Sequence, residues 1–227
     1  MNTQVTLVLA SFNTRELTAL AIKSFRDRYP SVPAVLIDNG SGDGSAEMLR
    51  DMEGAATQVI LNKINTGHGL ALHEGIMRAE TPFVLTLDSD CEVYQEGMLE
   101  AMLYRFRVSK ELYALGWLRV VDRASGVARD DRDKSPLTAQ FCYYVHPYCA
   151  LWHRETYQVL PPFAYHGAPA IYNMLEVERR QLRLESFPTT LFVHHHVGGT
   201  RRRYGGRWDP SASEPPGPWV ASETPPI

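Results

Sequence analysis

Four short apolar segments, each followed by a polar turn, constrain the fold of this chain most strongly. They are VTLVLA (5–10), AVLID (34–38), QVILN (58–62) and FVLTLD (83–88). Continuous apolar runs rich in β-branched residues are typical of strands that are covered on both faces. Between them lie segments with apolar residues at helical spacing. This alternation predicts an α/β fold, in which helices flank one mostly parallel, Rossmann-like central sheet.

The second half of the chain is less regular. Its pattern predicts a helix at 98–106, a strand at 113–121, a helix at 169–182 and a strand at 190–194, with only a short apolar stretch after Tyr143. At 227 residues, the chain is long enough for one domain with one sizeable core.

We expect this domain to span residues 1–209, with a ligand-binding half (1–107) and a second half (108–209). The proline- and serine-rich residues 210–227 predict an extended or disordered tail.

Composition excludes several classes of protein. The net charge of −3 provides no basic field for nucleic acid, and no apolar run reaches the roughly 18 residues of a membrane span. The N-terminus lacks the features of a signal peptide. Three cysteines without CxxC spacing (Cys91, Cys142 and Cys149) argue against a disulfide framework or a thiolate zinc site. We therefore expect a cytoplasmic protein without a transmembrane segment.

The polar turns predict a ligand site at one edge of the sheet. In an open parallel sheet, ligands bind beyond the carboxyl ends of the strands. There the chain places SFN (11–13), DNGSGDGS (38–45), NKINTGHG (62–69) and DSD (88–90). Two carboxylates two residues apart at a strand end can bind one divalent cation together with phosphate oxygens. An Asp-Ser-Asp sequence is also common in ordinary turns, so the prediction of a cation site depends on the polar turns that follow the other three strands.

Other nucleotide-binding classes fit less well. The glycines at 40, 42 and 44 lack GxGxxG spacing and follow the second strand, which disfavours a dinucleotide-binding dehydrogenase. No GxxxxGK[ST] sequence of a P-loop is present. Sugar-1-phosphate nucleotidyltransferases carry a glycine-rich loop after the first strand, where this chain has ASFNTRE (10–16).

Four segments in order resemble family 2 glycosyltransferases, which have the GT-A nucleotide-diphosphosugar transferase fold with a strand-end DxD motif. They are VTLVLASFN (5–13), VLIDNGSGDGS (35–45), LNKINTGHGLALHEG (61–75) and FVLTLDSD (83–90). Each segment alone is common, but the ordered set is specific. The resemblance covers roughly the first hundred residues.

The resemblance implies roles for individual residues in binding a nucleotide-diphosphosugar. Ser11 and Phe12 would line the base and Asp38 would hydrogen-bond its edge, while Asp88 would contact the ribose or the metal. Asp90 would hold Mn²⁺ or Mg²⁺ at the diphosphate, as both a metal ligand and a catalytic residue. The remaining residues that it places at the donor are Asn13, Asn65, Gly67 and Ser89. Arg78 is a further candidate for neutralising the diphosphate, although exposed helix arginines are common.

The acceptor half departs from the family pattern. Inverting members carry a carboxylate base in a segment that corresponds here to WHRETYQVLPPFAYHGAPAIYNMLEVERR (152–180). No carboxylate stands near His166, where the pattern would place one. The alternatives are His166 as the base, Glu176 or Glu178 reaching into the site, or a retaining enzyme that needs no such base. EVERR also reads as the solvated face of a helix.

FVHHHVGGTRRR (192–203) resembles the histidine-containing end of the family's catalytic domain. In an extended chain, His194 and His196 share one face, and His195 lies on the other with Val193. The family pattern favours His196 as a metal ligand, with His194 as a second candidate. Arg201 is a candidate diphosphate contact in a mobile lid, or part of a solvated loop.

These observations predict a metal-dependent, hexosyltransferase-like glycosyltransferase that uses a UDP-, GDP- or dTDP-sugar. The acceptor (saccharide, lipid-linked or small molecule), the stereochemistry and the oligomeric state stay open. The alternatives are a catalytically silent sugar-nucleotide binding module, favoured by the missing carboxylate, and a sugar-1-phosphate nucleotidyltransferase.

Overall fold

A seven-stranded sheet forms the centre of the protein in the computed structural model, which describes residues 4–133, 135–164 and 168–196. The strands, in chain order, are β1 (Val5–Ser11), β2 (Ala34–Asp38), β3 (Thr57–Leu61), β4 (Phe83–Leu87), β5 (Cys91–Val93), β6 (Leu112–Asp122), β7 (Phe141–His153), β8 (Arg183–Ser186) and β9 (Val193–His195). The helices are α1 (Arg15–Arg28), α2 (Ser45–Arg50), α3 (His68–Arg78), α4 (Met98–Val108), α5 (Arg154–Gln158) and α6 (Ile171–Arg179), and a 3₁₀ turn spans Thr189–Leu191.

The central sheet has the order β3-β2-β1-β4-β7-β6-β8. Strand β7 runs antiparallel to both of its neighbours, β4 and β6, whereas all the other neighbouring pairs are parallel. The predicted α/β fold, with a mostly parallel sheet between helices, is therefore confirmed. The turns that follow β1, β2, β3 and β4 all lie at one edge, because these four strands point the same way.

Two apolar layers cover the sheet, one on each face. Along β1, Val5, Leu7 and Leu9 belong to the layer that includes residues of α1 and α4. Val8 and Ala10 belong to the opposite layer, with residues of α3 and α6. Successive strand residues point to opposite faces, so a strand that is buried on both faces needs an unbroken apolar run. This explains why the first four strands could be identified from the sequence.

Strand β7 is longer than the short apolar stretch expected after Tyr143. It has 13 residues and pairs with both β4 and β6. The register with β6 shifts between Gly116 and Trp117, which face Ala150 and His146. A bulge of this kind accommodates Pro147, which has no N–H for a regular ladder. Because His146 and Pro147 interrupt the apolar pattern, the sequence shows only a fragment of the strand.

A two-stranded sheet of β5 and β9 lies next to the turn after β4. Its register pairs Cys91 with His195 and Val93 with Val193. The predicted strand at 190–194 starts too early, because residues 189–191 form the 3₁₀ turn and only 193–195 are extended. This small sheet brings the histidine run to the carboxylates that follow β4.

The three cysteines are buried and free. Among the described helices, none combines the length and the apolar character that are needed to cross a membrane. The predicted tail (210–227) lies outside the described residues.

Gly75 provides a test of how α3 packs on the sheet. A Cβ at this position would lie 2.5 Å from Cγ1 of Val8 and 2.8 Å from Cδ1 of Ile37. Gly75→Ala should therefore lower the free energy of unfolding by about 1–3 kcal/mol, the usual cost of overpacking. The matched control is Gly54→Ala, since a Cβ there meets nothing within 4 Å. Urea denaturation measures both variants, and equal stabilities would contradict the packing described.

Candidate functional site

The polar turns surround an open cleft of about 300 Å³ at the carboxyl ends of the parallel strands. We call it the strand-end cleft. Its polar and aromatic lining comprises Ser11, Phe12, Thr14, Asn39, Asn65, His68, Asp88, Ser89, Asp90, His146 and His195. Of the residues singled out from the sequence, the structure brings Ser11, Phe12, Asn65, Asp88, Ser89 and Asp90 together here.

Asp88 lies against a histidine that the sequence reading did not select. Nε2 of His68, the first residue of α3, is 3.3 Å from Oδ1 of Asp88. Burial lowers the pKa of His68, but the charge of Asp88, the hydrogen bond to it and the charge of Asp90 together outweigh burial, so that the pKa is raised overall. Burial likewise raises the pKa of Asp88 and the His68 charge lowers it, with a lowered pKa as the result. The contact therefore favours the charged form of each partner.

Asp90 contacts His195. Nε2 of His195 lies 3.2 Å from Oδ1 of Asp90, and the two side chains are only 21% and 12% exposed. Burial lowers the pKa of His195, but its hydrogen bond to Asp90 and that charge raise it overall. The imidazole also stacks on the ring of Tyr148, with centroids 4.6 Å apart and an interplanar angle of 9°. The His195 imidazole is therefore held both by Asp90 and by the ring of Tyr148.

The expectation that His194 and His196 face the carboxylates is wrong in this structure. The two histidines do share a face, since their rings are 4.4 Å apart. That face is the outer one, where Nε2 of His196 lies 3.5 Å from Oε2 of Glu92. Val193 is buried in the core, and alternation puts His195 on the same side. The sequence showed which histidines share a face but not which face meets Asp90.

A metal-binding donor set is present at this contact. The potential ligand atoms of Asp90, Cys91 and His195 lie within 4.8 Å of one another. Burial raises the pKa of the Cys91 thiol, which donates to the carbonyl of Tyr148. A protonated sulfur is a poor ligand, whereas carboxylate and imidazole suit Mn²⁺. The chemistry of the donors therefore fits a divalent cation held by Asp90 and His195.

Asn39 joins the turns after β2 and β3, and the sequence reading did not select it. Its Oδ1 accepts hydrogen bonds from Nδ2 of Asn62 and from both the backbone N–H and Oγ1 of Thr66. Its Nδ2 donates to Oδ1 of Asn65 and to the carbonyl of Gly67. Asn39 is 3% exposed. The only sequence signal was a polar residue directly after Asp38 within a turn.

Asp38 and Asn13 organise the turn after β2. Oδ2 of Asp38 accepts from the N–H groups of Gly40 and Ser41. Its Oδ1 is buried and has no hydrogen-bond partner among the described residues. Asn13, with a left-handed φ of 53°, accepts from the N–H of Gly42 through Oδ1. Asn13 thus ties two turns together, whereas Asp38 is 1% exposed and is not among the residues that line the cleft.

Arg78 does not reach the cleft. It occupies the last turn of α3, and a groove at the opposite edge of the sheet brings it together with Thr6 and Pro33. An 11-residue helix is about 16 Å long, so that a helix beginning beside the cleft ends far from it. The prediction that Arg78 neutralises a diphosphate is therefore wrong.

The described residues narrow the choice of base. Glu176 pairs with Arg179 and Arg180, and hydrogen bonds from these arginines lower its pKa to about 2. Glu178 pairs with Arg123. These glutamates belong to surface ion pairs and not to the cleft. His166 and Arg201 lie outside the described residues, so that their predicted roles stay predictions.

His146 is a further histidine of the cleft that was not predicted. Burial lowers its pKa to about 4, so it is neutral at neutral pH. Its Nδ1 accepts from the backbone N–H of Tyr148, which leaves the proton on Nε2. The imidazole is therefore arranged as a hydrogen-bond donor. It belongs to β7, the strand whose length the sequence did not show.

Residues 6–168 match the family model described as Glycosyl transferase family 2. The chain belongs to this family. The match includes the turns after the first four strands and ends before the histidine run.

Two curated relatives cover part of the chain. It is 30% identical over 145 residues to the poly-β-1,6-N-acetyl-D-glucosamine synthase of Staphylococcus epidermidis, a match to 58% of this chain and 35% of that protein. It is 31% identical over 97 residues to the undecaprenyl-phosphate 4-deoxy-4-formamido-L-arabinose transferase of Proteus mirabilis, covering 39% and 29%. The matches thus span about a third of the length of these relatives.

Solved structures show the same fold. The mannosyltransferase PcManGT from Pyrobaculum calidifontis, in complex with GDP-Man and Mn²⁺, has a TM-score of 0.64 at 15% identity. The similarity covers 83% of this chain and 55% of that one. S. aureus TarS 1-349 in complex with UDP-GlcNAc has a TM-score of 0.56 at 13% identity, covering 84% and 58%. The GT-A fold expected from the sequence is confirmed.

Asn39→Ala tests the connection between the turns. It removes the acceptor for the Thr66 N–H and the donor for Asn65, leaving polar groups unsatisfied near the cleft. We expect a loss of about 2–3 kcal/mol in the free energy of unfolding, whereas Asn62→Ala, which removes one of these bonds, should cost about 1 kcal/mol. Chemical denaturation measures both. Equal losses would show that Asn39 is not the centre of this network.

Proposed function

We propose that this chain is a metal-dependent glycosyltransferase domain that moves a sugar from a nucleoside-diphosphate donor to an acceptor hydroxyl. The proposal rests on the contact between Asp90 and His195 in a cleft whose lining also includes Ser11, Phe12 and Asn65. Membership of family 2 supports it, as do neighbours whose structures contain GDP-Man with Mn²⁺ or UDP-GlcNAc.

Mn²⁺ or Mg²⁺ would be held by Asp90 and His195. Bound there, the cation supplies positive charge that stabilises the diphosphate leaving group. His195 must be neutral to act as a ligand, so any proton held at the His195–Asp90 contact would have to leave before the imidazole could hold the cation. The stacked ring of Tyr148 keeps the imidazole oriented in both states.

The turns after β1 and β2 are suited to the nucleotide. Phe12 is 39% exposed in the cleft and offers an aromatic surface to a base. We also propose that Asp38 accepts from an N–H at the edge of a base; its Oδ1 has no partner among the described residues but is buried, so the turn after β2 would have to shift to expose it. His68 and Asp88 line the same cleft as Phe12 and Asp90, and we propose that the ribose and phosphates extend past them. UDP, GDP and dTDP all carry such an N–H, and we propose the nucleoside-diphosphate class without choosing a base.

Transfer breaks the bond between the anomeric carbon and the diphosphate oxygen and forms one to the acceptor oxygen. The proton of the acceptor hydroxyl must leave as well. Neutral His146, with its proton on Nε2, is arranged to donate a hydrogen bond and not to accept that proton. We therefore assign His146 to binding, and His166 keeps its predicted place as the candidate base.

Asp90→Asn tests the metal-dependent function. Loss of the charged ligand should weaken Mn²⁺-dependent binding of UDP, GDP or dTDP at least about a hundredfold, since even the residues that support ligands contribute about 10- to 100-fold. Calorimetric titration of each nucleotide with and without Mn²⁺ measures this. Asp27→Asn, on the exposed face of α1, is the control. Unchanged metal-dependent binding in Asp90→Asn would refute the proposal. Binding without hydrolysis or transfer of any donor sugar would identify a silent binding module.

The histidine run offers a matched pair of variants. His195→Ala should weaken Mn²⁺ binding about tenfold or more, because it removes an imidazole ligand. His194→Ala, one residue away on the outer face, should leave the affinity within about twofold, since an exposed residue outside the site contributes little. Titration of the protein with Mn²⁺ in the presence of UDP distinguishes the two. A larger effect of His194→Ala would mean that β9 presents its other face to Asp90.

A further inference from the structure

A second groove, of about 600 Å³, shares His195 with the strand-end cleft. We call it the aromatic groove. The residues that give it its character are Glu92, Tyr94, Trp117, Tyr148, His194 and His195. His195 lines both cavities, so a molecule in the aromatic groove lies next to the site where the diphosphate and the sugar of a donor would be.

Two aromatic side chains of the groove, Tyr94 and Trp117, are exposed but held in place, whereas Tyr148 is buried behind them. Tyr94 is 46% exposed and Trp117 is 38% exposed. The hydroxyl of Tyr94 donates to the carbonyl of Thr190. The guanidinium of Arg119 lies over the Trp117 ring at 4.4 Å, and Tyr148 meets that ring edge-on at 5.8 Å. A ligand that packs on these rings would lose little affinity to ordering them.

Polar groups accompany the rings. The Glu92 side chain is 39% exposed, and its carboxylate lies 3.5 Å from the imidazole of His196. His194 is exposed beside it. Between β5 and β9, the backbone N–H of His196 donates to the carbonyl of Asp90, and that of Tyr94 donates to the carbonyl of Phe192. In an antiparallel pair, the residues that alternate with such hydrogen-bonded positions point their N–H and C=O groups away from the partner strand. The backbone groups of Val193 and His195 therefore point away from β5. The groove therefore combines apolar ring surfaces with hydrogen-bonding groups.

We propose that the aromatic groove binds a neutral saccharide and that this saccharide is the acceptor. The inference rests on the proposed function, since it places an acceptor hydroxyl beside the donor. A pyranose has apolar C–H faces, which pack on aromatic rings, and hydroxyl groups around its edge, which need hydrogen-bond partners. Aromatic rings, a carboxylate and an imidazole meet both requirements.

Charge favours a neutral saccharide over a phosphate-bearing acceptor. The described residues that line the groove include the Glu92 carboxylate and neither lysine nor arginine. Arg119 lies against the Trp117 ring and is not part of this lining. A phosphate here would meet the Glu92 carboxylate without a lysine or arginine in the described lining, whereas a sugar hydroxyl would donate a hydrogen bond to that carboxylate.

Trp117→Ala tests the proposal, with N,N′-diacetylchitobiose, cellobiose and mannobiose as probes. Saturation-transfer NMR and calorimetry, each with and without UDP and Mn²⁺, give their affinities. We expect at least one of the disaccharides to bind, and Trp117→Ala to weaken it about tenfold or more, as expected for an aromatic contact. Trp117→Phe should retain most of the affinity, and Glu92→Gln should reduce it by a few-fold. The control is Tyr104→Ala, an exposed aromatic residue on α4.

The outcomes separate this inference from the proposed function. Trp117→Ala should keep Mn²⁺-dependent UDP binding, because Trp117 does not line the strand-end cleft, and this also shows that the variant folds. Saccharide binding that survives Asp90→Asn supports the groove even if the transfer function fails. The inference is overturned if none of the three disaccharides binds, or if Trp117→Ala and Tyr104→Ala bind equally well. Preferential binding of a polyprenyl phosphate or an extended peptide at Trp117 would also overturn it.

Discussion

The contact between Asp90 and His195 depends on the pairing of β5 with β9, and the rest of the site is arranged around it. One partner follows the fourth strand of the parallel sheet, and the other comes from the far end of the described chain. A three-residue strand contributes few ladder bonds, so the burial of Val193 and Cys91 in the core must hold the register. Packing therefore sets which histidine meets the carboxylate.

The site places ionisable groups in partly buried positions, where contact between a histidine and a carboxylate favours the charged form of each. His68 with Asp88 and His195 with Asp90 are two such pairs, side by side. His146, which accepts a hydrogen bond from the backbone, stays neutral in the same cleft. The cleft thus combines carboxylates that could hold a cation with a neutral hydrogen-bond donor, a combination that suits a ligand with a charged diphosphate and an uncharged sugar.

The parallel half of the fold could be predicted because its strands are buried on both faces and leave continuous apolar runs. The polar residues at their ends could be predicted with it, since parallel strands deliver their turns to one edge. The predictions failed where local pattern and tertiary environment differ. Strand β7 was recognised only in part because it contains Pro147 at a bulge. Arg78 was assigned to the site although it lies at the far end of its helix. The turn sequences did not distinguish Asn39 and His68 from the polar residues around them.

The sequence by itself determined the α/β fold, the edge of the sheet at which the polar turns lie, the carboxylates of the turn after β4 and the shared face of His194 and His196. These features follow from the periodicity of strands and helices, which is local. Only the tertiary structure decided that His195 meets Asp90, that Asn39 joins two turns and that Trp117 and Tyr148 form a groove next to the cleft. Each of these depends on the register between segments far apart in the chain, and the core packing that sets such a register leaves no local pattern.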